Sequence, residues 1–219
     1  MQKGKLNFIK KWGVLRFVYA YTMIMLNRFL GFRISAIRAK KIEKNQVNQI
    51  QENGITYRAL NHQDFADVKL NRLLDINLSF VEKALSRGDH CVGAVIENKV
   101  VGYTWRTIHP VNVDFPIKMR FGEKLYYRYK GFVLPEHRGK NIFNQIKRVA
   151  EAEQLALGRT HAFGCIETHN YSSLRASHKH DDSTIGYSAY IDNRFFFAEW
   201  SSKSAKRWGI SVYKSSVSD

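Results

Sequence analysis

The chain has 219 residues, more than one average domain needs and fewer than two full ones, so a single core with an appendage is expected. A hydrophobic content of 44% with 13% aromatics is enough for a sizeable core and excludes global disorder. The formal net charge is +16, and residues 1–44 carry +10 of it through eleven Lys/Arg (Lys3, Lys5, Lys10, Lys11, Arg16, Arg28, Arg33, Arg38, Lys40, Lys41 and Lys44) against Glu43 alone. Such a field attracts nucleic acid, anionic lipid or acidic substrates alike, and charge by itself does not choose among them.

The first segment, residues 1–45, reads as a basic, apolar, helical arm. Within Trp12–Phe32 the run from Phe17 to Leu26 is apolar except for Thr22, but Arg16, Asn27 and Arg28 bracket it, and it is about half the ~20 residues that a spanning helix needs. A spanning helix is therefore not expected. Nor does the run resemble a secretory signal, because basic residues follow it where a small-residue cleavage site belongs. Two readings stay open: an interfacial helix lying on an anionic membrane surface, and a helix packed on the domain or on a second subunit. The polar, Gln/Asn/Lys-rich stretch Lys40–Asn53 reads as a linker before a core domain over residues 54–200.

Ile55–Leu60 alternates as a strand. Asn61–Asp64 supplies helix-start residues for an amphipathic stretch reaching about Leu74, and a second helix is expected over Leu78–Ser86, stopping at Gly88. Cys91–Glu97, a turn at Asn98-Lys99 and Val100–Ile108 form a hairpin signal. After a loop with Pro110 and Pro116, Leu125–Leu134 reads as a long strand whose alternate residues Tyr127, Tyr129, Gly131 and Val133 share a face. Pro135 ends it. Ile142, Ile146, Val149 and Ala156 then recur at helical spacing up to Gly158. His161–Thr168 is a strand, Tyr171–Lys179 a short helix, Thr184–Ile191 and Phe195–Trp200 strands. Residues 201–219, Ser/Lys-rich, read as a flexible tail.

Cys91 and Cys165 lie in apolar runs with no CxxC partner, so neither a disulfide framework nor a zinc site is supported; buried free thiols in a reducing, cytoplasmic setting are expected. His178-x-His180-Asp181-Asp182 does not converge as a metal site, and no metal is expected. A Gly-x-Ser-x-Gly elbow and a paired Cys-His signal are both lacking, which argues against a serine or cysteine nucleophile.

The most informative segment is Val133-Leu134-Pro135-Glu136-His137-Arg138-Gly139-Lys140-Asn141-Ile142-Phe143. A strand ending in a proline turn, then a basic glycine-containing turn and a long helix, points free backbone N–H groups at one spot, which suits a phosphate. Gly139-Lys140 lacks the upstream glycine and following Ser/Thr of a P-loop, and the three glycines of a dinucleotide fingerprint are missing. The segment resembles the acetyl-CoA motif of the GNAT superfamily of N-acetyltransferases, Arg/Gln-x-x-Gly-x-Gly/Ala, and the order of elements over about Gly54–Trp200 resembles that family too.

The resemblance implies a mixed α/β fold, a mostly antiparallel central sheet of six to seven strands flanked by helices, and acyl transfer from acetyl-CoA as co-substrate to a primary amine. It implies that the amides of Arg138, Gly139, Lys140, Asn141, Ile142 and Phe143 receive the CoA pyrophosphate, that Phe132 and Val133 pair with the pantetheine arm, and that Asn170 contacts CoA and opens the following helix. Asn141 and Phe143 depart from the family's Gly and Gly/Ala. Ser177 stands where many relatives carry the tyrosine that protonates the leaving thiolate, leaving His178, Tyr171 or water for that role, or a thiolate that departs unassisted. Direct attack on a thioester also needs a base near the amine, for which Glu167 and His169 are candidates, with Tyr127 and Tyr129 relaying through water.

The expected acceptor is a small-molecule amine, neutral or anionic because a polycation would be repelled by +16, such as an amino sugar or a cell-envelope precursor. An anionic membrane surface is a candidate partner for residues 1–44, which would place the protein peripherally at the inner face of the membrane. Nucleic acid is disfavoured: Trp12, Phe17, Tyr19, Tyr21 and Leu26 suit lipid better, and no helix-turn-helix or RNA-binding signature is present. The alternative function is a catalytically weak or inactive GNAT-fold module that binds a membrane surface or nucleic acid. The oligomeric state is not legible.

Overall fold

The computed structural model describes residues 2–42, 50–52, 54–67, 73–114, 116–179 and 182–215. The chain opens with helices α1 (Gln2–Trp12) and α2 (Val14–Leu30), followed by strands β1 (Phe32–Lys41), β2 (Ile50–Glu52) and β3 (Ile55–Leu60). Helix α3 (Leu78–Ser86) precedes β4 (His90–Ile96), β5 (Lys99–Thr107), the short β6 (Val111–Asp114) and β7 (Ile117–Arg120), and the long β8 (Leu125–Val133). Helix α4 (Ile142–Ala156), strand β9 (His161–Glu167), helix α5 (Tyr171–Lys179), strands β10 (Ser183–Asp192) and β11 (Phe197–Ser201), helix α6 (Lys203–Arg207) and strand β12 (Ser211–Lys214) follow. The class is mixed α/β, with mostly antiparallel sheet and flanking helices.

The chain divides into two compact units. One comprises Lys41–Val111 and Phe121–Gly164 and holds the motif turn. Its strands run in the order β9-β8-β5-β4-β3-β2, antiparallel except that β8 and β9 are parallel, with Leu125 opposite His161. The β4–β5 hairpin turns through Glu97 and Asn98, both left-handed at φ +48° and +63°, which matches the right-handed twist of the flanking strands. Asn61 caps a 3-10 turn at His62–Phe65 in a capping box with Asp64, and Asn77 accepts from the Phe80 N–H to start α3. The rest of the predicted amphipathic stretch includes residues 68–72, outside the described residues.

The core of this unit lies on both faces of the sheet. On one, Trp105 stacks on Phe65 (6.1 Å) and meets the edge of Phe80 of α3 (5.4 Å). On the other, α4 buries Ile142, Ile146, Val149 and Ala150, and each large aliphatic removed from water contributes about 1.5–3 kcal/mol. The β5–β8 register shifts between Thr104 and Arg106, which corrects the simple alternation expected along β8. Tyr127 and Tyr129 share a face, and Tyr129 lies near Phe80 and Trp105. Gly131, paired with Thr104, faces α4 instead. An irregularity of this kind re-aims side chains within one strand.

The other unit comprises Met1–Lys40, Asn112–Arg120 and Cys165–Asp219. Its strands β11-β10-β1 are antiparallel, and β12-β7-β6 form a separate small sheet. Three expectations are corrected here. Residues 32–41 are strand, not part of a helical arm: Phe32 pairs with Ile191 and Ala36 with Tyr187, and Ala36 and Ile37 are buried. The Pro110–Pro116 loop carries β6, with β7 directly after it. The tail beyond Ser201 contains α6, capped by Ser202, and β12, whose Val212 is buried opposite Met119. Helices α1 and α2 are joined at Gly13, and no helix among the described residues is long and apolar enough to cross a membrane.

Candidate active site

At the end of β8 the chain passes through a 3-10 turn, Pro135–His137, with Pro135 at its first position, where a missing N–H costs nothing. Gly139 then takes φ +78°, open to glycine without penalty, and Asn141 takes φ +59°, ψ +8°, which Asn tolerates better than most residues. These two left-handed residues set the chain into α4. Among the described residues, none of the backbone N–H groups of Gly139, Lys140, Asn141, Ile142 and Phe143 donates to a backbone carbonyl, whereas Arg138 N–H is taken by the Pro135 carbonyl (3.2 Å). Five such donors precede or open a fifteen-residue helix, whose N-terminal end carries a partial positive charge that favours an anion. A cleft of about 360 Å³ lies against the turn, lined by Ile55, Tyr57, Ile96, His137, Lys140, Asn141 and Gln145.

Arg138 does not point straight into solvent. Its Nε donates to the Val133 carbonyl (3.0 Å), and its guanidinium sits 5.4 Å from the centre of the Phe132 ring. The Phe143 ring covers Gly131 of β8, so the side chain that departs from the family pattern packs on that strand. Ile142 is buried as the first core residue of α4.

Farther along β8, Tyr127 and Tyr129 stack at 6.3 Å. The Tyr129 hydroxyl donates to Asp89 Oδ2 at 2.6 Å, and Arg87 Nη2 donates to the same oxygen at 2.7 Å. Burial, and then Asp89, push the Tyr129 pKa well above its ordinary value. The Asp89 Oδ1 is buried with no partner among the described residues. Sequence reasoning missed Asp89; the only local signal was an acid directly after the α3 stop at Gly88. A second cleft of about 300 Å³ in this unit is lined by Asp75, Ile76, Asn77, Phe80 and Lys130, with Lys130 Nζ 3.0 Å from Asp75 Oδ2.

The other candidates belong to the unit that contains Cys165–Asp219. Glu167 Oε1 accepts from Arg33 Nη1 at 3.2 Å, and Glu167 Oε2 lies 3.4 Å from His169 Nε2, so these two candidates are brought together. Arg33 also pairs with Asp114 at 2.9 Å, a link that sequence reasoning did not find. Burial pushes the Tyr190 phenol, opposite Arg33 across β1 and β10, up to about 12. Asn170 caps α5 by accepting from Ser173 N–H at 3.1 Å, so it opens that helix. Ser177 is buried and occupied: it accepts from Arg38 Nε at 3.0 Å and donates to Asp182 Oδ2 at 2.9 Å.

Both cysteines are unpaired thiols, Cys91 buried and Cys165 partly so, and burial raises both, Cys165 to about 12. That disfavours thiolate chemistry at either. Among the described residues no three His, Cys, Asp or Glu converge on a metal position; His180 and Asp181 lie outside them.

No protein-family model matches the chain, and no curated protein sequence matches it. Similar solved structures include an aminoglycoside acetyltransferase from an uncultured soil metagenomic sample, in complex with sisomicin (15% identity, 58% of this chain and 87% of that one, TM-score 0.41). Another is a GCN5-related N-acetyltransferase from Sphaerobacter thermophilus (10% identity, 82% and 56% of the chains, TM-score 0.47). A third is a GNAT family acetyltransferase from Brucella melitensis in complex with acetyl-CoA (15% identity, 53% and 90%, TM-score 0.39). All three of these solved structures are acetyltransferases.

Proposed function

We propose that this chain is a GNAT-type N-acyltransferase that moves an acetyl group from acetyl-CoA to a primary amine. One observation carries the reading: the row of N–H groups from Gly139 to Phe143, without backbone acceptors, at the start of α4 beside a cleft that Lys140 and Asn141 help to line. That row fits a pyrophosphate, and the resemblance of Arg138-Gly139-Lys140-Asn141 to the acetyl-CoA motif supports the same occupant. Arg138 now occupies the Val133 carbonyl, so a pantetheine arm pairing there would displace its side chain, which is then free to meet phosphate.

In the reaction the amine nitrogen attacks the thioester carbonyl, the C–S bond breaks, and the CoA thiolate takes up a proton. The amine must first lose its own proton. The candidates for that step are Glu167 with His169, a carboxylate beside an imidazole in one unit, and, as relays through water, Tyr127 and Tyr129 in the other. Ser177 is committed to Arg38 and Asp182, which leaves His178, Tyr171 or water to protonate the thiolate. The acceptor we favour is a neutral or anionic small amine, such as an amino sugar or a cell-envelope precursor, because a net charge of +16 repels polycations.

The engagement of Ser177 also favours a second reading, a catalytically silent module of the same fold. Incubation with acetyl-CoA and a panel of amines, followed by mass spectrometry, separates the two. Acylated product supports the enzyme; CoA binding with no product from any amine supports the module.

A further inference from the structure

Helix α2 turns an apolar face to solvent. Val14, Val18, Tyr21, Met25 and Phe29 recur at spacings of three and four, and Leu15 flanks them, so they form one stripe. Leu15 is 86% exposed, Phe29 72% and Val14 61%. The opposite side is the one that packs: Ala20 is buried, the Tyr19 hydroxyl bonds Thr168 Oγ1 at 2.6 Å, and Phe8 and Trp12 of α1 meet Tyr171. A surface helix ordinarily points its polar side outward. A contiguous inverted stripe marks a docking surface.

Charge selects the occupant. Residues 1–42 contain no Asp or Glu. Arg33 and Arg38 are engaged in ion pairs and hydrogen bonds, Arg16 lies over the Tyr171 ring (5.4 Å) and Lys11 over the Trp12 ring (5.1 Å), and Lys10, Lys11 and Arg28 are exposed on the same two helices. A second copy would bring two such basic segments face to face. Nucleic acid would satisfy the cations and leave the apolar side chains in water. An anionic bilayer accommodates both, with acyl chains for the stripe and headgroups for the cations. At seventeen residues α2 is about 25 Å long, and no helix among the described residues is fit to cross, so it would lie along the interface. We propose that the outward stripe of α2, with the basic end of α1, docks this protein on an anionic lipid surface. This holds whether or not the acyl-transfer reading does.

The test is co-sedimentation of the full chain with phosphatidylcholine vesicles and with mixed phosphatidylglycerol–phosphatidylcholine vesicles over a range of salt. Binding is expected only to the anionic vesicles and is expected to weaken as salt rises. Lys10→Glu with Lys11→Glu should weaken it by at least about fivefold per residue. Leu15→Gln with Phe29→Gln should also weaken it while keeping the wild-type melting temperature, since both side chains are exposed. Equal binding to both vesicle types, binding unaffected by these variants, or no binding overturns the proposal. So does a concentration-dependent dimer in sedimentation velocity that Leu15→Gln with Phe29→Gln abolishes, because the stripe would then belong to a second copy.

Discussion

The ring of Phe143 lies on Gly131 so closely that a β-carbon at Gly131 would stand 3.0 Å from two of its atoms. This contact joins the first turn of α4 to β8. Gly131→Val should force the ring aside at a cost of about 1–3 kcal/mol. Phe143→Ala in the same chain should recover most of that loss. Urea denaturation of the single and double variants measures both, and additive effects would show that the two residues are not coupled.

Ser177 is predicted to act through structure rather than as an acid. Ser177→Ala leaves Arg38 Nε and Asp182 Oδ2 each short of a buried partner and should cost about 1–3 kcal/mol of stability. Once acyl transfer is measurable, kcat below the melting transition should be unchanged. A large drop in kcat with normal stability would restore Ser177 as a proton donor.

The Tyr129–Asp89 pair predicts the alkaline limb of stability. The folded-state pKa of Tyr129 is raised above the ordinary 10.0, chiefly by burial, so the folded state holds its proton more tightly than the unfolded state does. Its contribution is complete below pH 10 and is lost as pH rises beyond it. Tyr129→Phe should flatten this limb in denaturation curves taken across that range. Asp89→Asn should lower stability already at neutral pH by about 2 kcal/mol, because Arg87 loses its charge partner.

For the chemical step, Glu167→Gln should reduce kcat by about 10²-fold or more if Glu167, with His169, removes the amine proton. The acid limb of the kcat/KM profile should move in the same variant. An unchanged profile assigns Glu167 to the Arg33–Asp114 cluster alone.

Much of the fold was legible because its signals are local. The helix Leu78–Ser86 stops at Gly88; the β4–β5 hairpin shows as two apolar runs about a turn, which falls at Glu97-Asn98, one residue before the expected Asn98-Lys99; α4 repeats its buried residues at helical spacing. Strands β1 and β12 were not legible, since each is defined by a distant partner, Phe32 with Ile191 and Lys214 with Ile117; β2, inside the expected linker, and β6 and β7 are three or four residues long, too short for alternation to show. The motif turn could be read from a proline, a glycine and two basic residues in one short stretch. The Asp89–Tyr129 bond joins residues forty positions apart and the Arg33–Asp114 pair spans two strands, so neither leaves a pattern in the sequence.

The most direct test of the account is calorimetric titration of acetyl-CoA into the full chain and into Gly139→Val. Gly139 has open space where a side chain would go, but its φ of +78° is strained for any β-branched residue. The account predicts micromolar binding to the wild type and a loss of at least about tenfold in the variant. It predicts a smaller loss in Arg138→Ala, whose guanidinium only supplements the backbone donors. Binding that is absent from the wild type at millimolar acetyl-CoA, or identical in Gly139→Val, would contradict it.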